Sequence, residues 1–171
     1  MSTEIIISND GDAYFITVNG RATFEHASQL RNLAKSLENT AFSKISLNLA
    51  NCGGMDSTFM GILAMLGLRA KKVGAPMYVY NAGELNLSLL QGLGLKKLFE
   101  FRNGDMGQSS GKDWASGSGE KSGRAETVLE AHQTLMSADE QNVKKFEKVV
   151  ELVQKDLDNM NKSKKIGRAH V

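Results

Sequence analysis

The residues of this chain best placed to do chemistry lie where a glycine-rich turn runs into an apolar helix, at Cys52-Gly53-Gly54-Met55-Asp56-Ser57-Thr58-Phe59-Met60-Gly61. A serine on a strand-to-helix turn invites comparison with a nucleophile elbow, but the required Gly-x-Ser-x-Gly pattern is absent. Hydrolysis would also need a base. His26 falls in the first amphipathic helix, His132 lies beyond a linker and His170 sits in an anomalous tail. No base is therefore expected for Ser57, and no residue is assigned a catalytic role. Two readings of the turn stay open: Asp56 or Ser57 caps the helix, or Ser57 is a switch that accepts a phosphate.

Other chemistries find no residues to carry them. There is no Gly-x-x-x-x-Gly-Lys-Ser/Thr loop for phosphates. Gly92-Leu93-Gly94 lacks a third glycine and follows a helix, so it reads as a helix stop. Paired or clustered metal ligands are missing, and no cofactor is expected. The single Cys52 cannot form an internal disulfide and reads as a small hydrophobe beside the turn.

Composition sets outer bounds. Among 171 residues, 41% are apolar and 23% charged, ordinary values for a soluble globular chain. The 21 basic and 19 acidic residues are mixed along most of the length, so a nucleic-acid stripe is not expected. The C-terminal lysines read as a solvated face. The longest nearly apolar run, Phe59 to Leu68, is too short to span a bilayer. No secretory signal follows Met1, and with one cysteine the expectation is a cytoplasmic protein without membrane insertion.

The elements that must position Asp56 and Ser57 follow from periodicity. Glu4-Ile5-Ile6-Ile7 and Ala13 to Val18 are strands joined by Asn9-Asp10-Gly11-Asp12, a hairpin signal. Thr23 is an N-cap for a helix with Phe24, Ala27, Leu30, Leu33, Ala34 and Leu37 on one face. Ile45 to Leu49 alternates strictly, which predicts a sheet covered on one side only. Ser57 to about Val73 predicts the most apolar helix, nearly encircled by large side chains, and Gly74-Ala75-Pro76 ends it. Met77 to Tyr80 is the next strand, reached by a parallel right-handed crossover. A short helix over Glu84 to Leu93 and a last strand over Leu98 to Phe101 close an α/β domain over residues 1–102.

From 103 to 123 the composition turns to Gly, Ser and small charged residues, which predicts a flexible linker with Trp114 as its one large aromatic group. Residues 124–165 predict a helical extension, with Ser137-Ala138-Asp139-Glu140 spaced as a capping box at the start of its second helix. Val143, Phe146, Val150, Val153, Leu157 and Met160 follow a three-four alternation, a seam for a helical hairpin or for self-association. The same register reaches back to His132 and Asp139. The last residues, 166–171, look foreign to that helix. Ile166-Gly167-Arg168-Ala169-His170-Val171 can be written as ATC GGA AGA GCA CAC GTC, the start of a common sequencing adapter, so read-through after about Lys165 is expected.

Taken in order, the hairpin, Asn19-Gly20-Arg21-Ala22-Thr23, Leu47-Asn48-Leu49, Met55-Asp56-Ser57-Thr58, the Gly61 helix and Leu90-Gln91-Gly92-Leu93-Gly94-Leu95-Lys96-Lys97-Leu98-Phe99 resemble the STAS domain of anti-sigma factor antagonists and sulfate transporters. The resemblance covers about residues 4 to 101. It implies a small mixed β-sheet with helices mainly on one face and a non-enzymatic bacterial regulator of transcription that binds an anti-sigma factor serine kinase. It further implies Ser57 as the residue the kinase phosphorylates, with a phosphatase to reset it and Thr58 as second choice. Asp56, Ser57, Thr58, Phe59 and Met60 are then the expected partner contacts. Phe59 stands where family members often have a small residue, which places bulk near the switch. The alternative within the same family is a subunit of an ABC-type lipid-transport complex.

Overall fold

A computed structural model of the chain describes residues 2–107 and 123–169. Strands β1 (Glu4–Asp10) and β2 (Ala13–Ala22) form the expected antiparallel hairpin, with Ile5 opposite Val18 and Ile7 opposite Ile16. Gly11 turns the chain between them with φ +62°, a left-handed conformation that glycine adopts without a Cβ penalty. Thr23 then caps a turn of 3-10 helix at Phe24–His26. Its hydroxyl accepts from the Glu25 amide while Nδ1 of His26 accepts from the Thr23 amide. Helix α1 (Ala27–Ser36) continues from that turn and buries Ala27, Leu30, Leu33 and Ala34.

Strand β3 (Lys44–Asn48) pairs parallel to β2, and the chain next forms a strand that periodicity does not signal, β4 (Cys52–Met55). This short Cys-Gly-Gly-Met segment has no alternating pattern. It pairs parallel to the end of β2, where the register shifts between Gly20 and Arg21. Helix α2 (Ser57–Val73) follows, ended by Gly74 in the left-handed conformation. Strand β5 (Met77–Tyr80) lies parallel to β3, as the crossover predicts. Helix α3 (Glu84–Gly92), a 3-10 turn at Lys96–Leu98 and strand β6 (Glu100–Arg102) complete the sheet. The strand order is β1-β2-β3-β5-β6, with β4 beside β2.

One face of this mixed sheet carries the core. Ile16, Val18, Ile45, Leu47 and Val79 are fully buried there beneath Leu30 and Leu33 of α1 and Phe59, Ile62, Leu63 and Leu66 of α2. On the other face Phe15, Ser46 and Tyr78 sit side by side in the parallel register. Ser46 is fully buried there.

The C-terminal segment folds back onto this unit. Helices α4 (Arg124–Ala138) and α5 (Gln141–Ala169) form a hairpin, and α4 lies across α1 and α2. The capping box expected at Ser137 is not formed. Helix α4 runs on through Ala138, so Ser137 sits in its last turn and donates back to the Thr134 carbonyl at 2.9 Å. Asp139 is the residue in extended conformation, and its carboxylate, a stronger acceptor than a hydroxyl, takes the Gln141 amide at 2.9 Å. Of the expected seam, Val143, Phe146, Val150 and Val153 are half-buried, Leu157 is buried and Met160 is exposed. Most of the seam is thus covered within the chain, with Phe146 against the His132 ring at 4.9 Å. The Gly/Ser-rich stretch 108–122, including Trp114, lies outside the described residues, as do 170–171 at the end of the anomalous tail. Helix α5 itself runs into that tail as far as Ala169.

Candidate functional site

Asp56 is the N-cap of α2, with φ −90° and ψ 174°. Both its carboxylate oxygens are used. Oδ1 accepts from the Phe59 amide at 2.8 Å, the bond that satisfies an otherwise unpaired N–H of the first turn. Oδ2 accepts from the Phe24 amide at 2.7 Å, so the same side chain ties the start of α2 to the turn that leads into α1. The cap is therefore Asp56, and Ser57 is left as the first helical residue with its hydroxyl free for another partner.

That partner is His132 of α4. Ser57 Oγ lies 2.9 Å from His132 Nε2, and His132 Nδ1 lies 2.7 Å from the Val128 carbonyl oxygen one turn earlier on α4. A carbonyl only accepts, so Nδ1 carries the proton and, in the neutral ring, Nε2 accepts from the Ser57 hydroxyl. The imidazole is 4% exposed. The expectation that no histidine could reach Ser57 is overturned: sequence distance did not measure spatial distance, because α4 returns across α2. The pair has the hydrogen-bond order of the serine and histidine of a hydrolase triad. It differs in the groups around it, since a backbone carbonyl takes the place of the acid and Asp56 already occupies the Phe59 amide.

The crossing that brings His132 in is set by small residues. A Cβ built on Gly61 would stand 2.7 Å from the carbonyl carbon and from Cβ of Ala131, and closer still to the Ala131 oxygen. Only glycine allows the two helix backbones to approach this far. Glu130, beside Ala131, accepts from Arg31 Nε at 2.9 Å and from Arg31 Nη2 at 3.0 Å, with Lys35 Nζ at 3.4 Å. The Arg31 hydrogen bond, outweighing partial burial, holds the Glu130 carboxyl below the ordinary carboxylate range, and the same bond pushes the Arg31 guanidinium up. At the other end of the hairpin, Asn142 is fully buried and donates to the carbonyls of Leu93 at 2.9 Å and Leu135 at 2.8 Å.

The remaining expected site residues face inward. Thr58, Phe59 and Met60 are 5%, 0% and 4% exposed. The bulk of Phe59 is absorbed by the core between α2 and the sheet, so it does not stand over the Ser57 hydroxyl. Cys52 is half-buried, and burial pushes its thiol up, away from the reactive thiolate. Among the described residues there is no cluster of three His, Cys, Asp or Glu side chains able to hold a metal ion. No described helix is long and apolar enough to cross a membrane.

Two features of the sequence could have pointed to His132. Helix α2 is apolar nearly all round, although a helix on an open sheet needs only one apolar stripe. A second cover was therefore required. The seam register also reaches His132, a polar residue at a core position that asks for a polar group opposite.

No family model matches the sequence, and none of the curated proteins does. Solved structures do. The Bacillus cell fate determinant SpoIIAA, in its phosphorylated form, is 15% identical with a TM-score of 0.50, over 61% of this chain and 93% of that one. A protein named as an anti-sigma factor antagonist, from Thermotoga maritima, is 16% identical with a TM-score of 0.50, over 58% of this chain and 86% of that one. The likeness is one of fold: the chain carries the STAS, or SpoIIAA-like, fold, extended at its C-terminus by the α4–α5 hairpin.

Proposed function

We propose that this protein is a non-enzymatic regulator that binds an anti-sigma factor serine kinase and is switched by phosphorylation of Ser57. The observation that carries the reading is the position of Ser57 as first residue of α2, with Asp56 performing the capping so that the hydroxyl is not needed by the helix. Phosphate at that point meets the positive end of the helix dipole, worth about 0.3–1 kcal/mol, so the modified domain stays folded. Its charge acts instead on the interface with the kinase, where a like charge or a desolvated phosphate weakens binding. Thr58 is the poorer acceptor because its side chain is buried. A phosphatase completes the cycle by restoring the hydroxyl. In this reading Asp56 and Ser57 form the contact surface, while Thr58, Phe59 and Met60 shape it from below.

The test is co-expression with serine kinases encoded beside the gene, followed by mass spectrometry of the peptide that contains Ser57 and by a pull-down. Phosphate on Ser57, lost in Ser57→Ala, with kinase recovered only by the unmodified chain supports the reading. An unmodified Ser57 refutes it, and recovery of an ATP-binding cassette subunit in place of a kinase assigns the fold to a transport complex.

A further inference from the structure

Helix α4 lies on the face of α2 that carries Ser57. Ser57 and Gly61 are one turn apart on that face, His132 standing against the first and Ala131 against the second. Glu130 anchors the same turn of α4 to Arg31 and Lys35 of α1. The hairpin is anchored again beyond α3, where Asn142 donates to the Leu93 carbonyl at 2.9 Å and Lys145 Nζ to the Gly92 carbonyl at 2.8 Å. A kinase acting on Ser57 needs its hydroxyl and the helix turn around it. Both are taken.

We propose that α4 is a built-in competitor for the Ser57 face: it must leave before a protein partner can reach Ser57, and phosphate on Ser57 weakens its hold. This rests on Ser57 as phospho-acceptor. In the transfer, Oγ bonds to the terminal phosphorus of a nucleoside triphosphate as the bond to the nucleoside diphosphate breaks, and the hydroxyl proton departs to a base of the kinase. Oγ then has no proton to give. The 2.9 Å between Oγ and His132 Nε2 holds one hydrogen bond and no more, so the phosphoryl group cannot enter the contact while α4 stays seated. Losing a buried hydrogen bond of this kind shifts a docking equilibrium by about ten- to a hundredfold. The coupling also works in reverse, because a docked α4 lowers the apparent affinity of any partner for this face by the undocked fraction.

The experiment is amide hydrogen exchange by mass spectrometry on the full chain, comparing wild type, Ser57→Glu and His132→Ala. The expected result for Ser57→Glu is exchange across residues 127–138 faster by about tenfold or more, with exchange across β3 unchanged. Exchange in 127–138 equal to or slower than wild type overturns the proposal, the slower result meaning that the charge is held by His132 and locks α4 down. If Ser57→Glu loses protection in β3 as well, His132→Ala decides, since it alters only α4: faster exchange confined to the hairpin supports the proposal and unchanged exchange overturns it. No kinase enters this measurement. A chain never phosphorylated in cells would refute the acceptor reading while leaving the coupling of Ser57 to α4 measured, and unchanged exchange would refute the coupling while leaving phosphorylation intact.

Discussion

Gly61→Ala separates the stability of α2 from the docking of α4. On helix propensity alone, alanine in the middle of α2 should stabilise the helix by about 0.8–1 kcal/mol. Against that, the added Cβ would stand 2.7 Å from two carbon atoms of Ala131, where carbon–carbon contacts prefer roughly 3.5–4.0 Å. One of those atoms is backbone, which cannot rotate aside, so α4 must retreat by about 1 Å, at an overpacking cost of about 1–3 kcal/mol. The same retreat stretches the Ser57–His132 bond from 2.9 Å beyond hydrogen-bonding range. The abandoned imidazole nitrogen adds about 1–3 kcal/mol. Docking of α4 should therefore weaken by about 2–6 kcal/mol, the sum of those two costs. The assay is amide exchange over 127–138 and over β3, together with a thermal melt. The expected outcome is α4 exchange accelerated by about thirtyfold or more with β3 protection kept. A raised Tm with α4 protection unchanged would refute the reasoning, because it would mean the helices accommodate a methyl group at their crossing.

Three further outcomes follow from the same contacts. Asp56→Ala removes the acceptor of two amides, those of Phe24 and Phe59, and should lower unfolding stability by about 2–3 kcal/mol in a denaturant titration; Asp56→Asn, which keeps one acceptor oxygen, should lose less. The Glu130 carboxyl is held below its ordinary pKa chiefly by the Arg31 hydrogen bond, so its contribution is present above about pH 4.3 and is lost as pH falls through the depressed value. Protection of α4, taken relative to the intrinsic amide exchange rate at each pH, should accordingly fall on acidification through that window, and Glu130→Gln should flatten the dependence. Asn142→Ala strips the Leu93 carbonyl of its side-chain donor and should loosen the start of α5 by about 1–2 kcal/mol, read as faster exchange over 141–146.

The α/β unit was legible because its signals are local. The hairpin turn, the one-sided periodicity of α1, the apolar run of α2 and the Gly-Ala-Pro stop each state their own structure. Strand β4 was hidden because Cys52-Gly53-Gly54-Met55 has neither alternation nor β-branched residues; it is a strand only because the end of β2 offers it a partner. The α4–α5 boundary was misplaced by two residues because Ser137 and Asp139 both look like caps, and only the continuation of α4 through Ala138 decides between them. His132 is hidden for a different reason. A contact across 75 positions leaves no spacing to read, and its trace was indirect, an α2 too apolar for the single face that the sheet could cover.

That surplus apolarity also limits how α4 can be released. Burying Leu135 against the α/β core is worth about 1.5–3 kcal/mol, and the half-buried Arg31–Glu130 pair adds about 1–2 kcal/mol, between exposed and buried ion pairs. Those two contacts alone give about 2.5–5 kcal/mol, and Leu129 and Ala131 are buried beside them, whereas the coupling proposed for phosphate, about ten- to a hundredfold, amounts to about 1.4–2.8 kcal/mol. Phosphate on Ser57 alone therefore enlarges the undocked fraction without making it dominant. Full release requires a partner that supplies its own apolar group where Leu135 sits and its own acid between Arg31 and Lys35. In this arrangement α4 is exchanged for a partner surface of similar chemistry, and α2 is not left bare in water.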